Sequence, residues 1–269
     1  MTSLISWIGV DSRGKSSVYL ASDSRISWDK STSWDYGRKL FTSKVRPEVF
    51  GYCGDVLFPT LVLSQVIEQI DQFILFNQGE QFEERVEIIQ AALSVSLEAT
   101  PNSQRRSFQV IYASRDLDGM KSEFQVAHIG WNKDNGWHSD YLRLPNQSDL
   151  IKGIGTGAES NSDWYSRWQR SDVTRTSRSV FSAFCEALRS GEDPLTGGAP
   201  QLVGIYRAGR ARSFGVISNG KRYQYGHPVL EGDFNNIEWR NELFERCDGD
   251  TMQLLAGAQP QPSPFATGG

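Results

Sequence analysis

The chain predicts a layered α+β fold, on three observations. Strand-like and helix-like segments come in runs rather than in alternation: strands, two helices, strands, two helices, strands. The hydrophobic period switches from two to the helical repeat near residue 59 and back near residue 106. And 269 residues with 38% hydrophobic side chains suffice to bury the core of one large domain.

Residues 3–10 (SLISWIGV) and 17–22 (SVYLAS) are short, β-branched and apolar, and they flank the polar segment DSRGKS, the pattern of a hairpin. A polar, aromatic stretch follows over 26–37, and then two more strand-like pieces, RKLFTS at 38–43 and EVFGYCG at 48–54. The first 55 residues therefore read as one four-stranded antiparallel unit. Over 59–77, Leu61, Val62, Val66, Ile67, Ile70 and Phe73 share a helical stripe, with Pro59 suited to a first turn. Over 80–98, Phe82, Val86, Ile89, Ala92 and Leu93 do the same. Two such helices need a sheet to pack on. Strands return at 106–114, 123–131 and about 137–143. A glycine turn, Gly153-Ile-Gly-Thr-Gly157, precedes helical character over 159–170 and 174–189, and strands follow at 202–209 and 212–218. The sequence gives a single domain over 1–247. The Pro/Gln/Gly-rich end of the chain makes 248–269 a flexible tail. No internal repeat is visible.

Several function classes are excluded on composition. Lys and Arg number 28 against 32 Asp and Glu, a net charge of −4, which argues against a nucleic-acid or anionic-membrane surface. No apolar run reaches the roughly 18–20 residues of a membrane span. The start, Met-Thr-Ser-Leu-Ile-Ser-Trp, has no basic region and is not read as a signal peptide. Cys53, Cys185 and Cys247 are far apart and suggest no disulfide framework, so a reducing cytoplasm is expected. His128, His138 and His227 lack metal-ligand spacing, and neither a metal nor a cofactor is expected.

Gly9-Val-Asp-Ser-Arg-Gly14-Lys15-Ser16 matches the phosphate-cradling GxxxxGK[ST] pattern. That motif works only where a helix follows, and Ser17-Val-Tyr-Leu-Ala reads as a strand. The segment is therefore read as a polar hairpin turn with a solvated lysine. Gly153–Gly157 is likewise weak as a dinucleotide fingerprint, for want of a strand-turn-helix unit with a downstream acid.

The informative constellation lies between residues 21 and 55. Ala21-Ser22-Asp23-Ser24-Arg25 ends a strand, Lys39-Leu40-Phe41 starts another sixteen residues after Asp23, and Gly51-Tyr-Cys-Gly54-Asp55 opens a helix. Singly, each has an ordinary reading. Asp23 and Arg25 could form a surface ion pair. Lys39 could snorkel. The glycines could make a turn before a helix N-terminus complemented by Asp55.

In this order and spacing, over roughly residues 2–220, the chain resembles the proteasome β-subunit family, including the bacterial HslV and Anbu-type homologues, which are N-terminal nucleophile hydrolases. The family's threonine start is matched by Thr2-Ser-Leu-Ile-Ser after Met1, and its A-S-D-x-R by Ala21–Arg25. Its lysine before two apolar residues is matched by Lys39, and its G-x-x-G-D by Gly51–Asp55. Its late G-S-G turn stands as Gly155-Thr156-Gly157, and its D-x-x-S-G as Asp193-Pro-Leu-Thr196-Gly197. GGAPQLVGIYR looks especially Anbu-like. The first hairpin is about five residues longer than the family's, and an odd insertion calls for a bulge or an asymmetric loop to keep register.

The resemblance implies a four-layer αββα sandwich, two antiparallel sheets between helix layers. It implies a threonine peptidase whose nucleophile, Thr2, is exposed by removal of Met1. Lys39 would supply positive charge beside the hydroxyl and Asp23 would hold Lys39. Gly51 N–H would be the oxyanion donor, and Thr156, Asp193 and Thr196 would steady the α-amine. By position, Ile26, Gly37, Phe41, Val49, Cys53 and Leu57 would line an apolar side-chain pocket. The implied partners are a peptide or unfolded-protein substrate, further copies of the chain in a ring or spiral, and an ATP-dependent unfoldase or another activator. A non-catalytic scaffold and an amidase acting on a non-peptide amide are the other readings.

Overall fold

Strand alternation and helical stripes resolve into two sheets and four helices in the computed structural model, which describes residues 2–77 and 79–258. The first hairpin is β1 (Ser3–Asp11) and β2 (Gly14–Ser22). A small hairpin, β3 (Ile26–Ser27) with β4 (Ser33–Trp34), leads to β5 (Leu40–Thr42) and β6 (Glu48–Gly54). Helices α1 (Leu57–Asp71) and α2 (Phe82–Ala99) follow. Then come β7 (Phe108–Asp116), β8 (Glu123–Asn132), β9 (Gly136–Tyr141) and β10 (Asp149–Gly155). After α3 (Ala158–Trp168) and α4 (Ser177–Ser190) the chain forms β11 (Gln201–Tyr206), β12 (Arg212–Ser218), β13 (Lys221–Gln224), β14 (His227–Pro228), β15 (Trp239–Asn241) and β16 (Arg246–Cys247).

One sheet runs β10-β1-β2-β11-β12-β13-β14, with β15 parallel to β12 and β16 on β15; the other runs β5-β6-β7-β8-β9. Side-chain alternation sorts the strands' residues into layers. Leu4 and Ile8 of β1 meet Val49 and Cys53 of β6 and Ile111 of β7 between the sheets. The opposite face of β1, Ile5 and Trp7, packs on Val180, Phe181 and Phe184 of α4. The opposite face of the second sheet, including Phe50, Tyr52 and Tyr112, packs on Val62, Val66 and Ile70 of α1 and Ile89 and Leu93 of α2. Burying one such side chain contributes about 1.5–3 kcal/mol. The order of layers is helix, sheet, sheet, helix.

The first hairpin closes as expected, and its register skips Ser16: Gly9 faces Ser17 while Val10 faces Lys15. This bulge absorbs the odd insertion and leaves Leu4 opposite Ser22. Gly14 and Lys15 lie within β2, so no helix follows the GxxxxGK[ST] segment.

Several expectations are corrected. The first 55 residues are not one unit, because β1 and β2 belong to one sheet and β5 and β6 to the other. The short β3–β4 hairpin carries the chain across, and both pairs are buried on both faces. Helix α1 ends at Asp71, with Leu61 55% and Phe73 60% exposed; its buried stripe includes Leu63 instead. Gly153–Gly157 does join a strand to a helix, but β10 is an antiparallel neighbour of β1 and the chain after α4 returns beside β2. Strands β13 to β16 were not anticipated, being two to four residues long. Residues 248–258, assigned to the tail, are hydrogen-bonded: Arg222 donates to the carbonyls of Gly249 and Asp250, and Leu255 N–H donates to Arg246 O at 2.9 Å. The rest of the expected tail, 259–269, lies outside the described residues.

All three cysteines are buried free thiols. No helix among the described residues is long and apolar enough to cross a membrane. The cross-strand register brings His128 and His138 to 5.2 Å between ring centroids, a proximity their sequence distance hid.

Candidate active site

The end of the first hairpin assembles the site. Because Leu4 faces Ser22, the next residues out, Ser3 and Asp23, also meet: Asp23 N–H donates to Ser3 O at 3.1 Å, and Ser3 N–H donates to Asp23 Oδ1 at 3.0 Å. Lys39, just before β5, reaches the same oxygen with Nζ at 2.6 Å and also donates to Arg25 O at 2.5 Å. The other carboxylate oxygen accepts from the backbone N–H groups of Arg25 and Gly197, both at 3.1 Å. Both side chains of the pair are fully buried. Burial pushes the Lys39 ammonium below the usual lysine range, and the Asp23 carboxylate opposes that shift. Neither ordinary reading holds: Asp23 is no surface group, and Arg25 pairs bidentately with Asp35 at 2.7 and 2.9 Å.

Thr2 precedes β1 and is fully buried. Its carbonyl faces the turn after β10, accepting from Gly157 N–H at 3.4 Å. Gly155 there has φ +95°, and a Cβ on it would lie 2.0 Å from Thr2 O, so only glycine fits. Thr196 is buried beside this turn, its Cγ2 3.1 Å from where a Gly157 Cβ would stand. Asp193 ties to Thr196, whose N–H and Oγ1 both donate to Asp193 O at 3.2 Å. One oxygen of that carboxylate, Oδ2, is buried with no partner among the described residues. Thr156 lies exposed at the turn, away from this cluster's buried contacts.

Gly51 lies in mid-strand on β6, opposite Leu40 of β5. A Cβ there would stand 2.7 Å from a Leu4 methyl and 2.8 Å from a Leu40 methyl. The room glycine leaves is taken by two leucines where the sheets meet, not left open for a substrate carbonyl. Asp55 does act at the helix N-terminus, accepting from Phe58 N–H at 3.0 Å.

The six expected pocket residues do not enclose one cavity. Val49 and Cys53 are sealed between the sheets, while Phe41, one residue after Leu40 on β5, points to the α1/α2 side. Leu57 is 71% exposed at the start of α1. Ile26 and Gly37 sit together elsewhere, the Ile26 Cδ1 filling the space a Gly37 side chain would need. Position alone did not carry the pocket over, because the face of each residue follows from the strand's phase. Cys53 does approach the site, with its Cβ 3.6 Å from the Gly155 Cβ position, and burial pushes its thiol up to about 12.

Gln201 was missed. Fully buried at the start of β11, it donates through Nε2 to Asp23 O at 3.0 Å, Ser24 Oγ at 3.2 Å and Gly37 O at 2.8 Å, and its Oε1 accepts from Lys39 N–H at 3.1 Å. Its only sequence signal is a polar residue at the head of an apolar strand. Asn161 of α3, which donates to Ser3 Oγ, carried no signal at all.

The helix–sheet–sheet–helix sandwich that holds this buried lysine–carboxylate pair has relatives among solved structures. No family profile matches the chain, and no curated protein matches it in sequence. Solved structures do. The Anbu (ancestral beta-subunit) from Yersinia bercovieri is similar with TM-score 0.53 and 10% identity, over 83% of this chain and 87% of that one. An Anbu (Gly-1) mutant from Hyphomicrobium sp. strain MC1 gives 0.51 and 13%, over 79% and 87%. The eukaryotic HslV from Trypanosoma brucei gives 0.47 and 11%, over 76% and 99%. The two Anbu structures establish the fold as proteasome β-subunit-like.

Proposed function

We propose that the chain is an N-terminal nucleophile hydrolase of the threonine type, cleaving peptide bonds within a self-assembled oligomer. The observation that carries this reading is the shared acceptor: Asp23 Oδ1 holds both Ser3 N–H and Lys39 Nζ, bringing an ammonium group to within one residue of Thr2. A lysine has three N–H donors. Two serve Asp23 and Arg25, and the third would serve the Thr2 hydroxyl oxygen.

With Met1 removed, the Thr2 α-amine would have a pKa of about 7.7–8 and could take the hydroxyl proton as Oγ1 attacks a substrate carbonyl. Lys39 would stabilise the developing negative charge, and an oxyanion role for Gly51 N–H rests on the resemblance alone, since β5 and β7 flank Gly51 on both edges. The α-ammonium returns its proton to the leaving amine, and water hydrolyses the resulting ester. Asp193 Oδ2, an unfilled buried acceptor, together with Thr196, supports a place for the amine. An amidase of non-peptide substrates would use the same steps. An unfoldase or other activator remains part of the proposal through the resemblance alone.

The second reading, a non-catalytic scaffold, is favoured by the full burial of Thr2 and by the leucines over Gly51. Intact mass and a covalent trap separate the two. The hydrolase reading expects loss of Met1 and modification of Thr2 by an epoxyketone or boronate, abolished in Thr2→Ala and kept in part in Thr2→Ser. Retained Met1 with no modification would select the scaffold.

A further inference from the structure

We propose that the cleft between the β1–β2 hairpin tip and the N-terminus of α4 binds a phosphate-bearing small molecule. The proposal stands apart from the hydrolase reading, at the other end of β1 from Thr2. The cavity has a volume of about 650 Å³ and is lined by five arginines, Arg13, Arg175, Arg178, Arg207 and Arg240. Two carboxylates, Asp11 and Asp172, line it as well.

The arginines are not equally engaged. Arg207 is held bidentately by Asp11 at 2.6 and 2.8 Å, and Arg13 stands 3.8 Å from the same carboxylate. Arg240 pairs with Glu238 and donates to Phe244 O at 2.9 Å, yet its Nε is buried with no hydrogen-bond acceptor among the described residues. Arg175 and Arg178 have no ion-pair partner among the described residues. Five guanidinium groups thus face three carboxylates, and the excess sits on the α4 side.

That side also supplies backbone donors. Thr176 caps α4 by accepting from Ser179 N–H at 3.1 Å, which leaves the N–H groups of Ser177 and Arg178 without an intrahelical acceptor. The hydroxyls of Ser16 and Ser17 on the hairpin meet that of Ser177 over Gly9, at 3.5, 2.4 and 3.1 Å from the position a side chain there would occupy, with Ser16 Oγ also donating to Gly9 O at 3.0 Å. Unpaired guanidinium forks, free amides and hydroxyls around one cavity suit the oxygens of a phosphate group. The phosphate chemistry that the GxxxxGK[ST] match suggested is thus placed on the flank of the hairpin, and Lys15 is not among the cavity's lining residues.

The test is calorimetric titration of the full chain at low ionic strength with inorganic pyrophosphate and, separately, ATP. Saturable binding at one site per chain is expected for at least one probe. Arg175→Ala combined with Arg178→Ala should weaken it by about tenfold or more, while Lys15→Ala leaves it unchanged. Thermal melting of each variant confirms folding, and Arg178→Ala alone stands in if the double variant unfolds. ATP binding much more tightly than pyrophosphate assigns a nucleotide; equal binding assigns the phosphate group alone. No saturable binding of either probe, arginine variants that bind like the wild type, or a loss in Lys15→Ala as large as theirs would overturn the proposal.

Discussion

Ser3 and Lys39 are joined through a single atom: Oδ1 of Asp23 accepts the backbone N–H of the one and the ammonium of the other, at 3.0 and 2.6 Å. The start of β1 and the lysine therefore cannot move independently. Asp23→Asn should leave a buried, unpaired ammonium and cost about 3–5 kcal/mol. Lys39→Met should cost less, since an apolar chain of similar volume replaces the charge, yet should abolish turnover and trapping. Urea denaturation and peptidase assays check the two. A Lys39→Met protein with near-normal rates would move the chemistry elsewhere.

Two glycines should fail in different ways. Gly51→Ala pushes on Leu4 and Leu40, flexible side chains, and should destabilise by about 1–3 kcal/mol. Gly155→Ala meets the Thr2 carbonyl, which is backbone, in a left-handed conformation, and should displace Thr2 itself. The expected pattern is a stability loss in the first and loss of covalent trapping in the second, read by melting and mass mapping.

Cys53 gives a pH dependence. Its thiol lies near 12 in the fold against 9.0 unfolded, because burial disfavours the thiolate. The neutral thiol's contribution is complete below pH 9 and is lost as pH rises toward 12, at roughly 1.4 kcal/mol per pH unit. Cys53→Ala should show a shallower fall of stability over that alkaline window. At neutral pH the native thiol should resist iodoacetamide until the protein is unfolded.

The end of the chain can be tested by truncation. Ending at Cys247 removes Gly249 and Asp250, the carbonyl acceptors of Arg222, and the bridge from Leu254 to Cys247. A chain ending at Ala258 is the reference. The shorter chain should melt lower, by about 1–3 kcal/mol of stability.

Much of this architecture is legible in sequence. The alternation in β1, β2, β7 and β8, the stripe of α2 and that of α1 apart from Leu61 and Phe73 follow directly from apolar spacing. The longer hairpin calls for a bulge or an asymmetric loop, and a bulge at Ser16 is what is found. The motif order brings Asp23 and Lys39 together, as found. The pocket residues were not legible, because a one-residue phase difference sends Leu40 between the sheets and Phe41 to the helices. Gln201 was not legible either, since its partners are two carbonyls, a hydroxyl and a backbone N–H, 162 to 178 residues away. Strands β13 to β16 are too short for any period to register.

The bonds from Gly197 and Gln201 to Asp23 bear on the order of biosynthesis. A ribosome delivers Asp23 and Lys39 early, but the donors that fix the carboxylate and its carbonyl emerge some 170 residues afterwards. β11 must also slot in beside β2 before the sheet can extend toward β12. A nascent chain therefore carries the lysine and the acid without the clamp that aligns them, and contacts of such long range are slow to close. Any reactivity at Thr2 is withheld until Gly197 and Gln201 have been made and folded back onto Asp23.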